Sequence, residues 1–514
     1  MRLDSVAVLG GGPGGLYAAR LLKLRHPDAD VVVYEQGLPD KTFGFGVGLA
    51  SRTQRNLRDA DSASLDAIIE VAYSHEMSMQ VGDRIARLAQ RSLSAIARTD
   101  LLSVLQAKAT EAGVRLNFGT RRDIAALDAD LIVAADGVNS ATRTDMAEQF
   151  GVTVDTGAGL YLWCGTEFAL PSAVFVPVTT EHGTFVAHAY PYAHDRSTFL
   201  IETDEQTWRN AGFDRTTEST PPNESDKESL GYLEQAFAGP LFDHALIGNR
   251  TRWMRFRTVK CATWHTNNIV LLGDAAHTAH YSIGSGTKLA MEDAIALDAA
   301  IAGAPDLASA LETYEAQRRP AVDHLQQIAQ RSELWWESFP QRMHLPVQQL
   351  MLAYMTRAGK VDIEQYVRSA PQLAKEGLAA YAGTDPGEVP ENGISEWILE
   401  QPLKHRSMLY LDRIAPDDLR CVATTSTLEV GVSSAWSADA DKLVANAPTA
   451  EALWLTGPSD RAALLTRLDV AERLSAVGDT LVVVEGPSAF RADLAAGLAS
   501  GRTHLVSIDT GGAV

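Results

Sequence analysis

Gly273-Asp274-Ala-Ala-His277 follows the apolar run Asn268-Ile-Val-Leu-Leu272, and His280, Tyr281, Gly284 and Gly286 come just after it. A carboxylate at Asp274 can accept hydrogen bonds from hydroxyls. His280 and Tyr281 can exchange protons or contact a substrate. The glycines, with Thr287 and Lys288, let a ligand approach the backbone. The run Lys288 to Leu297 has good helix formers. A helix starting there carries unpaired N–H groups and partial positive charge, which suits an anionic or electron-rich ligand. The plainer reading is a strand-to-helix turn with convenient glycines.

Two further stretches bear on that choice. Ser5 to Leu9 reads as a strand, and Gly10, Gly12 and Gly15 fit G-x-G-x-x-G, with Pro13 and Gly14 between them. Leu16 to Leu24 has helical spacing, Val31 to Tyr34 reads as a second strand, and Glu35 stands twenty residues after Gly15. A carboxylate there can accept from a ribose hydroxyl, and the glycines admit a pyrophosphate to the helix start. In the third stretch, Ala129 to Ala135 runs as a strand into Asp136-Gly137, followed by a polar turn and Arg143.

Composition narrows the classes. A chain of 514 residues with 46% apolar residues is an ordinary globular protein of two or three domains. No apolar run approaches bilayer length, and the early strand leaves no room for a signal peptide, so a cytoplasmic protein without membrane contact is expected. The net charge of −20 argues against a nucleic-acid surface. Cys164, Cys261 and Cys421 lie far apart, with no metal-ligand spacing, so no metal is expected.

Together, the glycine fingerprint with Glu35, Asp136-Gly137 and Gly273-Asp274 resemble the FAD-dependent aromatic hydroxylases, the single-component flavoprotein monooxygenases. "ARTDLLSVL" around Arg98 and "YEAQRRPAV" (Tyr314 to Val322) match the same family, and the resemblance covers about residues 1–370. It implies FAD, NADH or NADPH as electron donor, O2, and oxygen transfer through a flavin C4a-hydroperoxide. Asp274 would contact the ribityl chain, Arg98 the ribityl or phosphate region, and Asp136-Gly137 would back the pyrophosphate. Many relatives carry prolines and a helix asparagine where this chain has Ala279-His280 and Thr287-Lys288. That departure, with "FGFGVGL" (Phe43 to Leu49) and "HAYPYAHDRSTFLIET" (His188 to Thr203), resembles the branch of salicylyl-CoA 5-hydroxylase and 2-aminobenzoyl-CoA monooxygenase.

The branch implies an aromatic substrate held as a thioester, salicylyl-CoA hydroxylated to gentisyl-CoA foremost. Alternatives are an anthraniloyl thioester, a carrier-bound aryl group or a free aromatic amino acid. A flavin-lacking nicotinamide dehydrogenase would need only the first fingerprint and would leave Gly273-Asp274 unexplained. His277 is usually structural in such proteins; His280 and Tyr281 face the expected flavin–substrate boundary. Tyr190, Tyr192 and Trp253 are candidate substrate contacts, with ordinary core packing an equal reading. Arg252, Arg255 and Arg257 could receive an anionic CoA tail or be solvated strand residues. Glu292 and Asp293 read as serving their helix.

The expected fold is α/β: a Rossmann-like FAD-binding domain with an interleaved antiparallel-sheet substrate domain and a small C-terminal α/β appendage. The FAD-binding domain takes residues 1–70, 98–158 and 263–330, and the substrate domain 71–97 and 159–262. Thr216 to Ser229 reads as a mobile polar loop, and 331–384 as a helical segment. Within 385–514, Glu400 to Asp418 and Gly486 to Ile508 resemble the two ends of an old-yellow-enzyme barrel. So short a stretch cannot close a (β/α)8 barrel of about 200–250 residues, so a remnant without FMN is expected, with an unrelated α/β tail as the other reading. The expected partner is a small aromatic molecule, and a homodimer is among the assemblies allowed.

Overall fold

The structure is a computed structural model that describes residues 1–39, 44–49 and 51–509, without the side chains of 51, 52 and 90–92. Residues 40–43 and 50, assigned above to the FAD-binding domain, and 510–514 of the appendage lie outside the described residues, as does Phe43 of the branch motif. Two compact units divide the chain: Met1–Ser78 with Ala89–Glu333, and Met79–Leu88 with Leu334–Val514. The class is α/β, as the sequence indicates.

The first unit holds a six-stranded sheet ordered His265–Thr266, Ile269–Leu271, Leu131–Ala134, Ser5–Leu9, Asp30–Tyr34 and Arg115–Asn117. All its neighbours pair in parallel except the first two. Val6 and Val8 enter a large core with the helices Pro13–Arg25, Arg98–Ala112 and Gly286–Gly303, while Ala7, Leu9 and Ile132 form a smaller cluster on the other face. Both faces are therefore covered, which is why these strands read as continuous apolar runs.

Two fingerprint glycines are fixed by geometry. Gly10 sits at φ +102°, and a Cβ there would lie 2.2 Å from Ala135 O; a Cβ on Gly15 would lie 2.2 Å from Gly10 O. No larger residue lets the strand turn so tightly into the helix that Pro13 opens.

The second sheet has nine strands. Its central run is Val152–Thr166, Arg196–Thr203, Gly183–Ala193 and Ala173–Thr180, antiparallel throughout. Residue alternation separates its faces. Leu162, Cys164, Phe185, Ala187, Phe199 and Ile201 pack into an apolar core. Tyr161, Trp163, His188, Tyr190, Leu200 and Glu202 fall on the other face, since Glu202 stands opposite Tyr161 and Leu200 opposite both Trp163 and His188.

The stretch Thr216 to Ser229 is only in part the loop its composition suggests, the loop being confined to residues 220–226. It holds the end of one helix, Phe213–Ser219, and the start of another, Lys227–Ala236. The buried Asp226 caps the second helix, accepting from Ser229 N (3.0 Å) and Thr216 Oγ1 (2.7 Å), so these polar residues satisfy one another.

In the second unit, helices Val347–Thr356, Ile363–Ser369, Pro371–Ala382 and Ile394–Leu399 precede a parallel sheet of four strands. Thr425–Glu429, Ala452–Thr456, Leu481–Pro487 and Leu505–Asp509 lie side by side in chain order, with a helix in each connection. Among the described residues no helix is long and apolar enough to cross a membrane.

Candidate active site

The site grows from three strand ends of the parallel sheet. At the first, Glu35 accepts from Gly11 N (2.7 Å, Oε2) and Gly37 N (2.6 Å, Oε1), which fastens the glycine turn to the second strand. A cleft of about 360 Å³ opens there, lined by Gly10, Gly12, Glu35, Asp136, Gly137 and Thr142 among others. At the second strand end, Asp136 Oδ2 accepts from Thr142 N and Oγ1 (both 3.2 Å), while its buried Oδ1 has no partner.

Arg143 ties this turn to the third strand end. Its guanidinium donates to the carbonyls of Asp274 (3.1 Å), Ala275 (2.9 Å) and Val138 (2.5 Å). Asp274 itself is exposed, yet the protein packed around it pushes its pKa up. Asp293 adds to that rise, and His277, Arg98 and Arg143 oppose it. Its Oδ1 lies 3.9 Å from where a Cβ on Gly286 would sit, so Asp274 and the glycine loop are brought together. Burial pushes the Arg98 guanidinium down, against the attraction of Asp274, and its Nε has no partner.

The loop itself is pinned from below. Asp293, fully buried, accepts from Gly273 N (3.1 Å), His277 Nε2 (2.9 Å) and Arg318 Nε (2.8 Å). Burial alone would raise the Asp293 carboxyl, but His277 and Arg318 outweigh it and hold the group below the usual carboxylate range. Asp293 thus serves the loop rather than its own helix, and His277 is structural, its ring 4.8 Å from Trp264. Gly284, at φ +58°, leads to the helix Gly286–Gly303, whose first turn holds no acidic residue and whose Ser285 hydroxyl is buried without a partner. The amides of Gly286, Thr287 and Lys288 are first-turn N–H groups with no intrahelical acceptor.

Above the loop, Tyr281 hydroxyl donates to Glu202, whose other oxygen lies 3.0 Å from His188 Nε2. The Tyr281 ring packs near Tyr161 (4.8 Å), Trp163 (6.0 Å) and Phe256 (5.9 Å). His280 stacks beside Tyr281 (4.0 Å), and its Nδ1 pairs with Ser282 Oγ (2.8 Å). Tyr190 donates to Gly46 O (2.8 Å), burial pushing its hydroxyl up to about 12, and the Tyr192 ring lies against Gly46.

Two expected contacts lie elsewhere. Trp253 is buried in the apolar core of the antiparallel sheet, stacked on Phe213 (5.4 Å) and donating to Ser229 Oγ (3.0 Å). Arg255 is paired with Glu205 (2.8 Å) and the Ala158 carbonyl; Arg252 donates to Thr217 O (2.6 Å) and Arg257 to Asn139 Oδ1 (2.6 Å). Arg252 and Arg255 are thus occupied by the sheet and its helices, while Arg257 reaches the turn after Asp136-Gly137. Glu202, His188, Tyr161, Trp163 and Phe256 join the site from strands, where residue alternation is their only signal in the sequence, and Arg143, noted after the Asp136-Gly137 turn, joins it from the short helix Ala141–Asp145. Among the described residues no three His, Cys, Asp or Glu side chains are grouped to hold a metal ion.

An unpaired Asp136 oxygen, an unpaired Arg98 nitrogen, the cleft beside the glycine turn and the open first turn after Gly286 are features that a flavin dinucleotide fits. A family model described as "FAD binding domain" matches residues 85–329. The chain is 42% identical over 338 residues to salicyloyl-CoA 5-hydroxylase of a Streptomyces species, covering 65% of each protein, so it spans about two thirds of that relative's length. It is 38% identical over 358 residues to 3-hydroxy-4-methyl-anthranilyl-(aryl-carrier protein) 5-monooxygenase of Streptosporangium sibiricum, covering 70% of this chain and 95% of that one. Its fold resembles that of 2-methyl-3-hydroxypyridine-5-carboxylic acid oxygenase, with 18% identity, a TM-score of 0.54, and coverage of 73% of this chain and 97% of that one. A strand–glycine–helix turn with Glu35 behind it, a Gly-Asp loop over a buried Asp–His–Arg anchor, and a relative matched nearly end to end lead to one assignment: the chain belongs to the FAD-dependent flavoprotein monooxygenases.

Proposed function

We propose that this chain hydroxylates an aromatic thioester, salicylyl-CoA to gentisyl-CoA foremost, with NADH or NADPH as electron donor. The observation that carries this reading is shared by the two similar proteins. Each is named for a reaction at ring position 5 of an aryl thioester, para to a hydroxyl or amine beside the carbonyl. The aromatic wall of Tyr161, Trp163, Phe256 and Tyr281 supports it, since a flat ring packs well among such faces.

Under this reading Gly10 to Gly15 and the start of the helix Pro13–Arg25 hold the pyrophosphate of FAD, and Glu35 takes the adenosine ribose. Asp274 and Arg98 take the ribityl chain, and Asp136-Gly137 backs the pyrophosphate. Bound FAD, once reduced, supplies the electrophilic oxygen drawn from O2. The first-turn amides of Gly286, Thr287 and Lys288 favour negative charge beside them, and the aromatic wall excludes water. A donor oxygen or nitrogen para to carbon 5 enriches that carbon for attack. His280 and Tyr281 stand where the ring would meet the flavin loop. The appendage, residues 385–514, is taken as a barrel remnant without its own flavin; four parallel strands in chain order support that view.

NADH or NADPH oxidation is expected to couple to product with salicylyl-CoA and to run slowly or uncoupled with free salicylate. Coupled hydroxylation of free salicylate or tryptophan, with none of salicylyl-CoA, overturns the proposal. Efficient turnover of anthraniloyl-CoA alone moves the substrate to the amine and keeps the thioester.

A further inference from the structure

We infer that Glu202, acting through Tyr281 and beside Trp163, selects aryl thioesters whose ring carries a hydrogen-bond donor next to the carbonyl, and that it rejects the corresponding ethers. The inference rests on the thioester reading above and adds the device that recognises the ring substituent.

Three observations carry it. Glu202 projects from the polar face of the antiparallel sheet, and its side chain is only 13% exposed. One of its oxygens accepts the Tyr281 proton and the other meets His188 Nε2 at 3.0 Å. A phenol has one proton to give, so Tyr281, having given it to Glu202, can offer only lone pairs to anything else it meets. The Trp163 indole, 6.0 Å from the Tyr281 ring between centroids, is a donor and nothing else, and its buried N–H has no partner. One wall of aromatic rings thus carries both an acceptor, the Tyr281 oxygen, and an unpartnered donor, the Trp163 N–H. The complementary ligand is a flat ring with a donor beside an acceptor, which is what an ortho-hydroxy or ortho-amino aryl carbonyl presents.

The charge on Glu202 is maintained by its surroundings. Burial alone would favour the neutral acid, but His188, His280 and Tyr281 together hold the carboxyl below its ordinary range. Burial and the adjacent Glu202 push the Tyr281 hydroxyl well above its own, with Tyr161 and Glu333 adding to the rise. The Tyr281 proton therefore stays on the phenol and is directed at Glu202. If Glu202 merely braced the loop against the sheet, its loss would weaken all aryl ligands alike. As a selector, its loss changes their ranking. With Glu202→Gln, the amide can donate to the Tyr281 oxygen, which frees the phenol proton to point at the ligand and favour an ether oxygen. With Tyr281→Phe the acceptor vanishes.

The test is titration of the FAD-loaded full-length chain with salicylyl-CoA and 2-methoxybenzoyl-CoA, read as perturbation of flavin absorbance. The unsubstituted chain is expected to bind salicylyl-CoA about 50-fold more tightly, in line with the penalty for leaving a site's polar group unmatched. In E202Q the ratio should fall to about 5 or less, with 2-methoxybenzoyl-CoA binding no worse; in Y281F it should fall through weaker salicylyl-CoA binding alone. Melting temperature and bound FAD serve as the fold control. A ratio near one in the unsubstituted chain, or an unchanged ratio in a folded E202Q or Y281F, overturns the inference. If E202Q does not fold, Y281F decides. If the unsubstituted chain binds free salicylate but none of salicylyl-, 2-methoxybenzoyl- or benzoyl-CoA, the thioester reading fails and takes this inference with it.

Discussion

Replacing Asp274 with alanine is expected to weaken FAD binding by about 100- to 1,000-fold, roughly 3–4 kcal/mol, because hydrogen bonds to a charged group contribute about 1.5–3 kcal/mol each. The protein packed around the carboxylate pushes its pKa up, with Asp293 adding to that rise. A group whose pKa is raised on folding costs stability where it is ionised, so the flavin-free chain should lose nothing by its removal. Two melting curves separate the effects. Without FAD the D274A chain should melt at or above the temperature of the unsubstituted chain. With saturating FAD it should fall below it, having lost the ligand's contribution. A D274A chain that retains stoichiometric FAD after gel filtration contradicts the role given to this residue.

Asp293→Ala should have the larger effect on the fold itself. The substitution takes the nearer carboxylate from the Arg318 guanidinium, only 11% exposed, leaving it Glu292 at 3.7 Å, and leaves Gly273 N–H and His277 Nε2 without their acceptor. Removing one partner of a buried ion pair costs about 3–5 kcal/mol, which for a large domain lowers the melting temperature by roughly 10 °C. FAD affinity should fall as well, since the Gly273-Asp274 loop loses its anchor. The pH dependence follows from the same contacts. The Asp293 carboxyl is held below its usual range, so its stabilisation is present above the ordinary value near 4 and is lost as pH falls through the depressed one. The acid limb of the stability curve should therefore flatten in Asp293→Asn, which keeps the shape and removes the charge. Urea midpoints between about pH 2 and pH 7 measure it. An unchanged acid limb would place the pH sensitivity elsewhere.

The parts of the site built from local chain are legible in the sequence. Gly10, Gly15 and Glu35 lie on one strand–turn–helix–strand unit, where spacing alone sets their distances, and Gly273 to Gly286 is a single loop. What spacing does not reveal is which side chains meet across elements. Asp293 lies on the helix after the loop, and only the fold shows that it turns back to Gly273 and His277. Glu202, His188 and Tyr161 come from three strands whose register brings them onto one face. Trp253 illustrates the converse: an aromatic on a strand can face either side, and this one faces the core. In Thr216 to Ser229 composition shows the loop at 220–226 but not the helix ends on either side, because serine, threonine and aspartate serve helix caps as readily as loops.

The central claim is that oxygen from O2 enters the ring of an aryl thioester on this FAD-dependent chain. Incubating the FAD-loaded protein with NADH or NADPH, salicylyl-CoA and ¹⁸O2, and reading the product by mass spectrometry, tests it most directly. The account predicts one ¹⁸O atom in the product, as a new hydroxyl at ring carbon 5 with the thioester intact. A product without the label, or consumption of O2 that yields only hydrogen peroxide, would contradict it.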